Sequence, residues 1–228
     1  MSGSTALVIT YFGTASFLIQ LDGVRILTDP GDLFTARLTE DKAAALRDID
    51  IVVVTHVDPD HVNRLRAVPG IASIPVLAPL SAREMFPDLR IVTDAEYHLA
   101  GVTITTVQCT HGMRHWVAHQ GYEIRGETRR ILFLGDAFRI DEPVAPRPDV
   151  LMVTIGGLEA NPRNALGIVR LLKPRLVIPM HWELFFRGDG KPRAFAARVE
   201  AEGPDSSCIV PPIGSPIEIP WRQQGQKN

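Results

Sequence analysis

Ile51-Val52-Val53-Val54-Thr55-His56-Val57-Asp58-Pro59-Asp60-His61 is the stretch on which the fold of this chain turns. Its first half is a continuous β-branched run, the pattern of a strand buried on both faces. Its second half sets two imidazoles and two carboxylates close together, with a proline between the carboxylates. Pro59 disfavours helix at Asp58 yet suits a helix's first turn. His56 and Asp58 therefore project from an extended segment as alternate residues on one side, and Asp60 and His61 follow from the next turn. Such a cluster at the end of a buried strand reads as a metal site.

Three more apolar strand candidates end the same way: 102–110 runs into His111, 131–135 into Asp136, and 175–180 into His181. Ligands of α/β proteins bind beyond the carboxyl ends of strands, where loops join residues distant in the chain. One such ending is ordinary. A histidine there is commonly a hydrogen-bonded structural residue, Asp-Pro-Asp is a common turn, and an Asp after a glycine can cap a helix. Four endings in one chain, one of them opening onto three further candidates, point to a metal centre.

Ahead of the decisive stretch, residues 7–12, 16–21 and 24–28 read as short strands, with turns at Gly13-Thr14 and Asp22-Gly23. Asp29-Pro30-Gly31 stops the third. Residues 39–47 read as a helix with Thr39 as N-cap. Beyond it, strands are expected at 74–78, 89–93, 102–109, 116–125, 129–134, 150–155, 175–180, 208–210 and 217–219. Helical segments are expected at 81–86, 164–172 and 195–202, the second stopping before Lys173-Pro174. Residues 116–125 and 129–134 read as a hairpin through Gly126-Glu127-Thr128. No low-complexity segment or linker divides the chain, so residues 1–228 are expected to form a single domain. Helices alternating with buried strands in both halves suggest a layered α/β architecture, with helices outside packed sheets.

The 228 residues are 45% hydrophobic and 22% charged, an ordinary soluble composition. A formal net charge of −2 gives no basis for a nucleic-acid or anionic-membrane surface. No apolar run approaches the ~20 residues of a membrane span, and the N-terminus lacks the pattern of a secretory leader. Two cysteines, Cys109 and Cys208, make no disulfide framework, and a cytoplasmic setting is expected.

The cluster resembles the His-x-His-x-Asp-His signature of the metallo-β-lactamase superfamily, with Asp58 in place of the second His. Residues 11–19 through Thr28-Asp29-Pro30 resemble its opening hairpin. Ile155-Gly156-Gly157 through Lys173-Pro174 to Ile178-Pro179-Met180-His181 resembles the closing part of a branch that includes ascorbate-6-phosphate lactonase. The resemblance covers about Leu7 to Phe186. It implies a four-layer αβ/βα sandwich with two metals on its upper edge. His56, Asp58 and His111 would hold the first metal, Asp60, His61 and His181 the second, and Asp136 would bridge them. The ions implied are zinc or manganese, with iron a further choice. Asp58, a hard carboxylate, moves the first site away from zinc and toward manganese or iron, or leaves that site empty.

Around the cluster, His98 reads as a surface residue in a polar connection, His119 as structural within a strand, and Cys109 as a small buried apolar residue. His115, four residues past His111, lies beside the site. Trp116 and Trp182 read either as pocket wall or as core. Arg114, Arg139 and Arg187 follow ligand candidates and could fix an anionic substrate. The expected activity is a metal-dependent hydrolase acting on an ester, lactone or phosphoester of a small molecule, with Asp60 and Asp136 catalytic. An iron-dependent redox protein acting on oxygen, peroxide or sulfur species, and a non-catalytic metal-binding module, are the alternatives. Self-association into a homo-oligomer is left open.

Overall fold

The computed structural model describes residues 6–31, 46–112, 118–157, 159–183, 190–203 and 205–220. The strands are β1 (Leu7–Gly13), β2 (Ser16–Leu21), β3 (Val24–Thr28), β4 (Ile51–Val53), β5 (Val76–Leu77), β6 (Ile91–Val92), β7 (Glu96–Leu99) and β8 (Val102–Thr110). There follow β9 (Gln120–Arg125), β10 (Arg130–Phe133), β11 (Arg139–Ile140), β12 (Val150–Thr154), β13 (Leu176–Met180), β14 (Ser207–Cys208) and β15 (Pro216–Ile219). Helices are α1 (Pro59–Val62), α2 (Ser81–Met85), α3 (Pro162–Leu172) and α4 (Gly190–Glu202).

Among the described residues the strands form two sheets. One has seven strands in the order β15-β1-β2-β3-β4-β5-β6. The other has eight, in the order β11-β8-β9-β10-β12-β13-β14, with β7 also on β8. In the first sheet β3, β4, β5 and β6 run parallel, and in the second so do β10, β12, β13 and β14. Their carboxyl ends are where His56, Asp136 and His181 emerge.

β4 shows how the β-branched run works. Ile51 and Val53 join the core that includes Ile9, Phe17, Ile104 and Phe133, whereas Val52 and Val54 join a second core with Leu65, Val68, Ala82 and Phe86. Both faces of the strand are thus covered. Phe17 of β2 meets Phe133 of β10 edge-on at 6.4 Å across the two sheets. Both rings are fully buried, each worth roughly 1.5–3 kcal/mol of transfer free energy. Beyond the second sheet, Leu166 and Val169 of α3 and Phe195 and Val199 of α4 pack into the same core as β12 and β13. The layers run helices, sheet, sheet, helices, which is the four-layer αβ/βα sandwich.

α3 begins two residues earlier than its apolar spacing predicts. The Asn161 side chain accepts from Arg163 N–H and Asn164 N–H, with Pro162 in the first turn. It ends at Lys173, which takes a left-handed φ of 48° before Pro174. α4 starts at Gly190 rather than Phe195. β7 and β11 were not expected. They are short and flank the long β8, opposite its start (Leu99 with Val102) and its end (Arg139 with Thr110). His98 therefore lies in a strand rather than a connection, though it is exposed as expected. His119 is not within a strand, because the ladder of β9 starts at Gln120. Of the expected helix at 39–47, residues 39–45 lie outside the described residues, and Leu46 and Arg47 form a turn. Among the described residues no helix is long and apolar enough to cross a membrane.

Candidate metal centre

His56 follows β4, His111 follows β8, Asp136 follows β10 and His181 follows β13, while Asp60 and His61 sit in α1. These ends share one edge of the two sheets. His56, His111 and Asp136 bring donor atoms within 4.8 Å of one another, and Asp60, His61 and His181 form a second group within the same limit. Asp136 joins the groups, its Oδ2 lying 3.6 Å from His61 Nε2 and 3.4 Å from His181 Nε2. Asp58 Oδ2 lies 3.5 Å from His56 Nε2 and 3.8 Å from His111 Nε2. Asp58 is the N-cap of α1, yet its side chain makes no capping bond. Its carboxylate faces the imidazoles instead of serving the turn. All seven residues named from the sequence are brought together.

Hydrogen bonds fix which ring nitrogen each histidine presents. Asp29, fully buried, accepts from Thr55 N–H at 2.7 Å, from the Thr55 hydroxyl at 2.7 Å and from His61 Nδ1 at 2.8 Å. With Asp29 accepting, His61 donates from Nδ1 and turns Nε2 toward the carboxylates of Asp60 and Asp136. Thr55 spends its hydroxyl proton on Asp29 and so accepts from His56 Nδ1 at 3.0 Å, baring His56 Nε2. His111 Nδ1 donates to the Asp136 carbonyl at 3.1 Å. His56 Nε2 and His61 Nε2 are buried without a hydrogen-bond partner among the described residues. Folded proteins avoid orphaned buried nitrogens, and several converging on carboxylates fit a metal ion.

The backbone beneath is equally constrained. His181 leaves β13 with φ 63°, and its N–H donates to the Thr14 carbonyl at 2.8 Å. Its own carbonyl oxygen fills the space where a Cβ on Gly156 would lie, 1.4 Å away. Tyr11, fully buried under this turn, donates to Glu183 Oε2 (2.9 Å) or the Thr14 carbonyl (3.0 Å). The Thr154 hydroxyl stands 2.8 Å from the Gly135 carbonyl and 3.0 Å from Asp136 Oδ1, orienting that carboxylate.

The electrostatics are those of a site demanding positive charge. The rings of His111 and His56 hold the Asp58 carboxyl well below the usual carboxylate range. Burial pushes Asp136 up, but His181 and His61 outweigh it and leave the group well below its ordinary value. Asp60 is lowered likewise, burial being outweighed by His181 and His61. In return, burial pulls His61 down, but Asp136 and Asp29 drive it well above its ordinary value. His111 and His181 are also raised, the carboxylates of Asp58 and Asp60 joining Asp136 against burial. His56 is lowered by burial and by His61, and His119 is lowered further by burial, His56 and His111.

Other expectations fare differently. Arg139 is paired with Asp141 at 2.6 Å and donates to Thr110 Oγ1. Trp182 is buried against Tyr11, ring centres 5.0 Å apart, so it packs the core. Burial pushes the Cys109 thiol up to about 12, so it stays a neutral core residue. Arg114, His115, Trp116 and Arg187 lie outside the described residues. Asp29 and Thr55 were missed, and His119, read as structural, stands with its ring centre 5.1 Å from that of His56. Asp29 ends β3 as His56 follows β4, so the strand-end rule, applied once more, finds it.

The family model of the β-lactamase superfamily domain matches residues 8–181. A UPF0173 metal-dependent hydrolase of Methanopyrus kandleri is 28% identical over 231 residues, covering 92% of this chain and 99% of that protein. Among solved structures, the metallo hydrolase Igni18 of Ignicoccus hospitalis superposes with a TM-score of 0.77 at 23% identity, covering 96% of this chain and all of that one. CmlA, a diiron β-hydroxylase from Streptomyces venezuelae, gives a TM-score of 0.65 at 17% identity, over 95% of this chain and 54% of that one.

Proposed function

The chain belongs to the metallo-β-lactamase superfamily, and from that membership we propose a metal-dependent hydrolase of its small lactonase-like branch, opening an ester, lactone or phosphoester of a small anionic molecule. The observation that carries this reading is the pair of buried nitrogens without a hydrogen-bond partner among the described residues, His56 Nε2 and His61 Nε2, beside the carboxylates of Asp58 and Asp136, which the neighbouring imidazoles hold below their ordinary range. His56, Asp58 and His111 would hold one divalent ion and Asp60, His61 and His181 another, with Asp136 between them. Zinc and manganese suit this mixed nitrogen and oxygen set, and iron is a third choice. Such ions, when bound, bring the pKa of a water from about 15.7 toward about 7 and polarise the bond under attack.

The chain's own residues do the positioning. Asp60, 3.2 Å from His181 Nε2 and only 16% exposed, would orient the attacking water and accept its proton. Asp136 ties the two groups together and fixes their spacing. Asp58 is the most open member of the cluster at 41% side-chain exposure, with His111 next at 23%. Substrate would enter on their side. The free thiols of Cys109 and Cys208 fit a reducing cytoplasm.

The test is to strip the protein with a chelator, restore zinc or manganese, and assay esters, lactones and phosphodiesters. Activity is expected only after restoration, and Asp136→Ala or His181→Ala should lower it about 100-fold or more with the fold intact. Turnover by the stripped protein, or full activity in Asp136→Ala, rejects the reading. A second reading, an iron-dependent redox protein, is favoured by Asp58 and by the fold shared with CmlA. It requires a coloured, iron-containing protein that consumes oxygen, and a colourless zinc protein that hydrolyses esters excludes it. A protein that binds metal and does neither is a binding module.

A further inference from the structure

We propose that His119 is a third imidazole ligand of the first site, supplying from across the cluster the ring that position 58 lacks. The inference rests on the metal-centre reading above. Two imidazoles bound to one ion, with metal–nitrogen distances of about 2.0–2.1 Å, hold their ring centres about 5 Å apart. The centres of His56 and His111 are 4.7 Å apart, those of His56 and His119 5.1 Å, and those of His111 and His119 5.4 Å. His61 and His181, the two rings assigned to the second ion, stand at the same 5.4 Å. The three ring-centre separations are ones that a single shared ion permits.

A histidine present only for packing keeps at least one ring nitrogen hydrogen-bonded. Both nitrogens of His119 are buried, and neither has a partner among the described residues. The main chain holds the ring where it is. Gln120 N–H donates to the Thr55 carbonyl at 3.0 Å, one residue before His56. The Tyr122 hydroxyl stands 2.8 Å from the Val54 carbonyl and 2.9 Å from that of Leu77. The start of β9 is therefore tied to the end of β4, and His119 cannot drift from His56. With three nitrogens, the first site becomes a borderline set suited to zinc or ferrous iron, rather than the oxygen-rich set that Asp58 alone implies.

Two variants test this. His119→Phe keeps a ring of similar size without donors, and zinc competition against a chromophoric chelator reads each site's affinity. Wild type should bind two zinc ions, and the variant should hold one unchanged while the other weakens about 10-fold or more, with an unaltered circular dichroism spectrum. His119→Cys loaded with cobalt should show a sulfur-to-metal charge-transfer band in the near ultraviolet that cobalt-loaded wild type lacks. Two zinc ions at wild-type affinity in His119→Phe, or no such band in His119→Cys, overturns the proposal while leaving the metal centre standing. A wild-type protein that binds no zinc overturns both.

Discussion

Asp29 lies outside the proposed ligand set yet holds one of its members, His61, by a hydrogen bond. Its three close partners, Thr55 N–H, the Thr55 hydroxyl and His61 Nδ1–H, are all donors. Asp29→Asn would put an amide NH2 against one of them in either orientation. If it faces His61, the ring must accept at Nδ1 and carry its proton on Nε2, where the ion would bind. The variant is expected to lose about 10- to 100-fold in zinc affinity at the Asp60–His61–His181 site. It should also lose about 1–3 kcal/mol of stability from the mismatched buried group. Competition titration and urea unfolding measure the two, and unchanged zinc affinity would show that Asp29 does not set the tautomer.

At the scale of elements, the site depends on how strands stop. β13 ends in His181 with a left-handed φ, and the turn closes only because Gly156 has no Cβ to meet the His181 carbonyl. Gly156→Ala should push His181 off its place, costing about 1–3 kcal/mol and weakening metal binding as well. Gly167 is the contrast. It lies on the exposed side of α3, with nothing within 4 Å of an added Cβ. Gly167→Ala should stabilise by about 0.5–1 kcal/mol, because alanine loses less backbone entropy in a helix. Urea melts of both variants should move in opposite directions, and a shift of the same sign in both would contradict this account. The strand ends were legible in the sequence because each apolar run stops at a polar donor. The glycine requirement was not, since the clash lies between β12 and β13, separated along the chain by α3.

For the whole molecule, the carboxylates couple metal binding to pH. His61, His111 and His181 are raised above the ordinary 6.5. In the metal-free protein their contribution to stability is fully present below pH 6.5 and is lost as pH rises through the raised values. In His56 and His119 burial prevails, and their contribution is present above pH 6.5 and lost as pH falls through their lowered values. A metal ion needs the ligating nitrogens bare. Zinc affinity should therefore decline with falling pH, beginning above pH 6.5, and loading near neutrality should release protons. Calorimetric titration in buffers of different ionisation heat counts them, and zero release would show that the three histidines are already neutral. Zinc at about 100 times its Kd should add about 2.7 kcal/mol of stability.

What the sequence determined by itself is local. The β-branched run at Ile51–Val53, the break at Pro59 and the polar donors closing four strands are each written in neighbouring residues. They were enough to name seven candidate ligands, which the fold brings together. Tertiary structure decided the rest. It set Asp29 under His61, 32 positions along the chain. It set Arg139 against Thr110, buried Trp182 in the core, and brought His119 beside His56 from the other sheet. The physical reason is that periodicity dictates which face a side chain takes, whereas sheet register and packing dictate which distant side chain it meets there.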